Sequence, residues 1–309
     1  MNKMIIAGLV FGAMTSVGCN TSKQADTAPK GNSSASGSSS AAERDVVYPH
    51  KLGQFEVFMM VESQRDGNAD ILVGADETIL NRYIPAGGFK HTANAFLVKL
   101  PGQNILIDTG TGSGGIIIDR LKKLGVTNDK VDAVLITHLH GDHFGGLQKD
   151  GEALYPNARV YVPEKDYKYF IKTNVNQGAV AALAPYDNLL RLTLFEPGVL
   201  GSNLTELMPG ITPIANYGHT PGHTVFLLEN SGSKLIIGGD FLHISLVQFP
   251  NPDISASYDM DKQAAAASRK QILDYAAANR IPIGGMHVVY PGMGTVEKDG
   301  NGYKFTPAQ

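Results

Sequence analysis

The side chains best able to do chemistry lie in the stretch Thr137-His138-Leu139-His140-Gly141-Asp142-His143-Phe144-Gly145-Gly146. Residues two apart in extended backbone project to one side, so His138, His140 and Asp142 can converge on one ion. His143 follows Asp142 and precedes a glycine pair, which predicts that it opens a helix and can turn toward a second ion. Imidazole and carboxylate together suit zinc, iron or manganese and leave coordination positions for water. One histidine alone is more often a surface or packed residue, but packing does not explain three histidines and an aspartate at this spacing. No thiol nucleophile competes, because the single cysteine, Cys19, lies near the start of the chain. A lone cysteine also excludes an intrachain disulfide framework and any cysteine-based zinc site.

A ligand loop of this kind needs rigid elements around it. Ala133-Val134-Leu135-Ile136, immediately before it, is a continuous apolar run that predicts a strand buried on both faces. Strands are also predicted at Phe55–Val61, at Arg159–Val162, and as a hairpin of Ala95–Leu100 with Asn104–Ile107. A second hairpin is predicted for Thr224–Leu228 and Leu235–Gly238, around Asn230-Ser231-Gly232. Helical spacing of apolar residues marks Ile116–Leu124, Glu164–Lys172 and Asp261–Ala278, whereas 68–88 and 175–188 read as loops. Each half runs strands first and then helix, which predicts an α/β protein with two layers packed sheet against sheet.

Composition narrows the function classes. Of 309 residues, 43% are apolar and 18% charged, a globular balance, and at ~150 residues per domain the length allows about two domains. The formal net charge of −3 offers no basic field for a nucleic-acid backbone, so nucleic acid is not an expected partner. Met1–Cys19 has a basic start at Lys3, an apolar run and small residues before Cys19, the pattern of a secretory signal peptide. Its ending, Ser16-Val17-Gly18-Cys19, resembles a bacterial lipobox, which implies lipidation of Cys19 and a membrane-tethered lipoprotein on the periplasmic side of a Gram-negative outer membrane. Residues 20–45, rich in Ser, Gly and Ala, have too little apolar surface to offset chain entropy and are expected to form a flexible tether. The folded domain is then expected over residues 46–309.

The ligand loop resembles the HxHxDH motif of the metallo-β-lactamase superfamily, and other motifs of that family follow in chain order. Asp108 in Ile107-Asp108-Thr109-Gly110 matches its structural aspartate, and Gly218-His219-Thr220-Pro221-Gly222-His223-Thr224 its third motif. Gly238-Gly239-Asp240 matches the bridging aspartate, and His287 stands where the family has its last histidine. The resemblance implies an αββα four-layer sandwich, two mixed β-sheets flanked by helices. It implies two divalent metal ions, zinc foremost, with iron, manganese or cobalt as alternatives. One ion would be held by His138, His140 and His219, the other by Asp142, His143 and His287, with Asp240 between them. Asp142 and Asp240 are the carboxylates expected in catalysis, and Asp108, His223 and His243 are expected to support the ligands. A metal-bridging hydroxide would then attack an electrophilic carbon or phosphorus.

Gly239–Pro250 and the helix carrying Ala264–Lys270 look like the methyl parathion hydrolase-like branch, which also resembles quorum-quenching lactonases. That branch usually has a histidine where Thr295 stands, and its pocket tryptophan has no counterpart in a chain without Trp. The expected substrate is therefore a small lactone or carboxylic ester, ahead of an organophosphate triester. A β-lactamase-type amide hydrolase and a tethered non-enzymatic metal-binding protein are the alternatives, and a homodimer is left open.

Overall fold

The side chains along the long strands alternate between two different cores, and this alternation sets the layer order. On Phe55–Asp66, Val57, Met59 and Val61 face one side while Met60 faces the other. On Lys90–Leu100, Phe96 and Val98 join the first set and Ala95 and Leu97 the second. The computed structural model describes residues 47–309. The expected signal peptide with its lipobox, the tether, and the first residue of the expected domain lie outside the described residues.

Seven strands form the first sheet, in the spatial order Val47–Leu52, Phe55–Asp66, Lys90–Leu100, Gln103–Ile107, Ala133–Leu135, Arg159–Pro163 and Leu192–Phe195. Its first four strands pair antiparallel and the remainder parallel. Six strands form the second sheet: Ile211–Ala215, Thr224–Asn230, Ser233–Ile237, Ile283–Gly284, Met293–Asp299 and Gly302–Pro307. Only Ser233–Ile237 and Ile283–Gly284 pair parallel there. Between the sheets, Val57, Met59, Phe96 and Ile107 meet Phe226, Leu228, Leu235 and Ile237. Outside the first sheet, the helices Ile116–Lys123 and Gln177–Asn188 bury Ile117, Leu121, Leu183 and Tyr186. Outside the second, Lys262–Asn279 packs Ile272, Leu273 and Ala276 against Val225, Leu227 and Ile236. The protein is a mixed α/β sandwich with helices on both outer faces, as expected.

Two stretches depart from their sequence reading. Residues 175–188, read as a loop, contain the helix Gln177–Asn188, started by Asn176, whose side chain accepts from the Ala179 N–H. Pro185 inside it breaks the sequence signal, yet burial of Ala179, Ala182 and Leu183 holds the helix together. Residues 68–88 contain the helix Glu77–Tyr83, N-capped by Asp76 accepting from the Ile79 N–H. A C-terminal hairpin, Met293–Asp299 with Gly302–Pro307, is a further element that periodicity did not reveal.

The parallel pairs matter for position. Asp108 follows Ile107, the ligand loop follows Leu135, Asp240 follows Ile237 and His287 follows Gly284. All four segments leave the C-terminal ends of neighbouring parallel strands, where open α/β sheets place their ligands.

Candidate metal centre

The ligand loop leaves Leu135 extended and then closes into a single helical turn, Gly141–Phe144, with His140 at its N-cap. That turn corrects the grouping by alternation alone. His138 and His140 share a side and meet His219, whereas Asp142, already in the helix, meets His143 and His287. Asp240 stands between the two groups. Its Oδ2 lies 3.7 Å from His138 Nε2, 3.4 Å from His219 Nε2 and 3.1 Å from His287 Nε2, and its Oδ1 lies 3.2 Å from His143 Nε2. All seven residues named as ligands from sequence thus converge on one volume. Gly239 lets the chain enter it: at φ +55° a Cβ there would sit 2.7 Å from His223 Nε2.

The hydrogen bonds around the rings fix which nitrogen faces the centre. Asp108 Oδ2 accepts from Thr137 Oγ1 at 2.7 Å and lies 2.7 Å from His143 Nδ1, so Nδ1 of His143 carries the proton. Thr137 Oγ1, its own hydrogen given to Asp108, accepts from His138 Nδ1 at 3.1 Å. His219 Nδ1 donates to Asp259 Oδ1 at 2.9 Å, and His287 Nδ1 donates to the Thr92 carbonyl at 2.7 Å. In each ring this leaves Nε2 as the nitrogen that faces the centre, and in His138 and His219, where burial holds the ring neutral, it is a bare lone pair. His138 Nε2, His140 Nδ1 and His219 Nε2 then form a triangle with edges of 2.9, 3.1 and 3.2 Å. Lone pairs in such a triangle repel unless a cation sits among them. His143 Nε2 and Asp240 Oδ1 are buried without a hydrogen-bond partner, the signature of groups built to hold something else. The residues fit a pair of metal ions.

The electrostatics agree. Burial alone would suppress charge on His143, but Asp240, Asp142 and Asp108 outweigh it and hold its pKa well above the usual histidine value. Burial would likewise raise Asp240, yet the surrounding His143, His287 and His138 hold its carboxyl well below the usual range. A cation is what this centre favours, either as protons on histidine or as metal. His219 and His223, where burial dominates, are lowered to about 3 and about 4 and stay neutral, as ligands or hydrogen-bond partners require.

The three residues expected to support the ligands do different things. Asp108 orients His143 as described. His223 donates from Nδ1 to the Asn216 carbonyl at 2.8 Å and accepts the Asp240 N–H on Nε2 at 2.9 Å, so it fixes the backbone of Asp240. His243 comes closer than expected: its Nε2 is 3.4 Å from Asp240 Oδ2, its ring stacks on His287, and its Nδ1 is buried without a partner.

Several contributors were not found from sequence. Asp166 accepts from the Leu139 and Gly222 N–H groups and from Thr220 Oγ1, tying the ligand loop to the third-motif loop. Burial pushes its carboxyl up to about 6. Asp259 holds His219 and is itself backed by the buried Arg269, which also donates to the carbonyls of Phe241, Pro252 and Ile254. Glu62 accepts from Thr111 and Gly112, and the His91 ring lies 4.7 Å from that of His287. None of these stands at a fixed spacing from a ligand, so no motif could expose them.

A polar cavity of about 510 Å³ opens over the centre, lined by Arg65, Thr111, Asp142 and Tyr258 among others. It shares His243 and His287 with a largely apolar cavity of about 310 Å³ walled by Pro85, Phe89, Ile244, Leu246 and Val289.

Comparison with known proteins places these features. The metallo-beta-lactamase superfamily model matches residues 89–284. The probable metallo-hydrolase YflN of Bacillus subtilis (strain 168) is 26% identical over 167 residues, 47% of this chain and 60% of that protein. An atrochrysone carboxyl ACP thioesterase of Aspergillus chevalieri is 46% identical over 160 residues, 50% of this chain and 42% of that one. The chain thus spans about half the length of these relatives. Among solved structures, the hydrolase AbOPH of the beta-lactamase superfamily superposes with a TM-score of 0.76 at 28% identity, over 85% of this chain and 97% of that one. AidC, a dizinc quorum-quenching lactonase, superposes with a TM-score of 0.72 at 25% identity, also over 85% and 97%.

Proposed function

Because this chain belongs to the metallo-beta-lactamase superfamily, we propose that it is a dinuclear metal-dependent hydrolase of lactones or carboxylic esters. His138, His140 and His219 would hold one ion and Asp142, His143 and His287 the other, with Asp240 shared. When bound, the ions supply an activated water and Lewis-acid polarisation of the attacked carbonyl. The chain's own groups do the rest. Asp108, Thr137, Asp259 and the Thr92 carbonyl each engage the outer ring nitrogen of a histidine and so aim its other nitrogen inward. Asp142 has 38% of its side chain exposed to solvent. Burial would raise it, but His143 and His287 hold it below the ordinary carboxylate value, so it is ionised at neutral pH. It can take a proton from the consumed water and return it to the leaving alkoxide as the acyl C–O bond breaks. Tyr258 and Thr111 offer hydroxyls on the cavity wall, and Arg65 offers a cation for the carboxylate product.

The observation that carries the substrate class is the pairing of the two cavities. A polar reaction volume opening directly onto an apolar one suits a molecule with one hydrolysable polar group and an apolar remainder. The lactonase AidC as a structural neighbour supports the same class. The test is a panel of lactones, aryl esters, phosphotriesters and a chromogenic cephalosporin on metal-loaded protein, with metal counted by elemental analysis. Turnover of the lactones or esters with two metals per chain is the expected result. Turnover of the cephalosporin alone, or one metal or none, overturns it. Export and lipidation at Cys19 belong to the same proposal and rest on the leader's pattern. Cys19→Ser should release the protein from membranes, and a variant that stays membrane-bound refutes the lipobox reading.

A further inference from the structure

A third cavity lies beyond the apolar one, and nothing in the proposed chemistry uses it. It holds about 350 Å³ between the one-turn helix Ser245–Gln248, the segment after His287 and the C-terminal hairpin, with Phe249, Phe305 and Pro307 in its wall. The Phe249 and Phe305 rings stack on each other at 4.5 Å with only 4° between their planes and form part of its apolar wall. Ser245, Leu246, Val289 and Tyr290 line both this cavity and the one that reaches the metal centre. Leu246 and Tyr290, at that junction, remain 42% and 38% exposed.

We propose that this third cavity is a distal binding site for the far end of a long unbranched acyl or alkyl chain. The inference rests on the ester or lactone reading and extends it to the substrate's length. A carbonyl held beside His243 and His287 sends its chain past Phe89, and the only apolar continuation at Leu246 and Tyr290 among the described cavities is this one. Its link to the reaction volume through the apolar cavity favours a substrate chain over a second protein copy as the occupant. Each methylene taken from water adds a factor of about three to four in binding. A chain that reaches the Phe305 surface should therefore be preferred over one that ends near Phe89 by well over about tenfold.

The test compares p-nitrophenyl dodecanoate with p-nitrophenyl butanoate, both below their micelle concentrations, on the metal-loaded full chain. The ratio of their kcat/KM values should favour the long ester, mainly through KM. It should fall about tenfold in Leu246→Asp and in Phe305→Ser, two changes that act from opposite walls and guard against one misfolded variant. Displacement of a pyrene-labelled dodecanoate by unlabelled dodecanoate reads binding without turnover, and its Kd should rise by a similar factor in both variants. If no ester is hydrolysed but the probe binds and both variants weaken it, the catalytic reading fails and the distal site stands. Equal kcat/KM for the two esters, or variants that leave ratio and probe affinity unchanged, overturns the site. So does a wild-type dimer that Leu246→Asp makes monomeric with the ratio intact, since the surface would then be a subunit contact.

Discussion

The two halves of the metal centre are made in opposite ways. His138, His140, Asp142 and His143 come from one short loop, and a single turn of helix sorts them into two groups. His219, Asp240 and His287 come from three separate loops of the second sheet, and each is held by its own partner. Asp259 holds His219, the His223 ring holds the Asp240 backbone, and the Thr92 carbonyl, reaching across from the first sheet, holds His287. A contiguous ligand set takes its path from one local turn and shares the clamps Asp108 and Asp166, whereas a dispersed one needs a separate long-range clamp for each ligand. Damage to a clamp should then loosen one ligand at a time.

The largest effect should follow from removing the residue on which the halves meet. Asp240→Ala takes away the carboxylate that faces His138, His143, His219 and His287 together. The two cations would repel with less compensation, so at least one ion should be lost and turnover should fall by several kcal/mol of barrier, about a thousandfold or more. Elemental analysis and single-turnover kinetics check it, and a variant that keeps both ions contradicts the shared role. Next comes Arg269→Met, which leaves Asp259 as a buried carboxylate without its cation and strips three carbonyls of their donor. Breaking a buried pair costs about 3–5 kcal/mol. Denaturant unfolding of the metal-free protein should show that loss, while a loss below about 1 kcal/mol would mean the 241–259 loop is held by other means.

The individual clamps should cost less. Asp259→Asn and His223→Ala each remove an orienting hydrogen bond, and such changes cost ~10–100-fold in metal affinity or activity. Both variants should regain part of their activity in excess metal, which Asp240→Ala should not. If His223→Ala loses a metal outright while Asp240→Ala keeps both, ligand and support have been assigned the wrong way round.

This division also explains what sequence could and could not reveal. The contiguous half was legible because four donors at short spacing have no packing explanation. The dispersed ligands were reached only through resemblance to family motifs, since nothing local marks His219 or His287. Of their clamps, His223 was expected through the same resemblance, but Asp259 and Asp166 were not legible: Asp259 lies 40 residues from His219, and Asp166 lies 54 from Thr220. The order of elements, strands first and then helix in each half, correctly foretold two sheets face to face, because apolar runs long enough for buried strands survive in sequence. The helix Gln177–Asn188 stayed hidden because Pro185 argues against a helix that tertiary burial nevertheless maintains.

The smallest effect concerns His91, a first-sheet residue whose ring packs on His287 of the dispersed half. Burial, with help from the nearby charge of His287, lowers its pKa from 6.5 to about 4. The folded state therefore resists protonating it, while the unfolded chain takes the proton as soon as the pH drops below about 6.5. Stability contributed by the neutral ring is present above that value and is lost as the pH falls toward about 4. His91→Phe keeps a flat ring against His287 but cannot bind a proton. Thermal melts of metal-free wild type and variant should run together near neutrality and diverge in acid, with the variant the less acid-sensitive. Because the ring is only partly buried, solvent screening should keep the gap small, under about 1 kcal/mol. Curves that stay parallel across that range would show that His91 titrates alike in both states, and that its contact with His287 is packing alone.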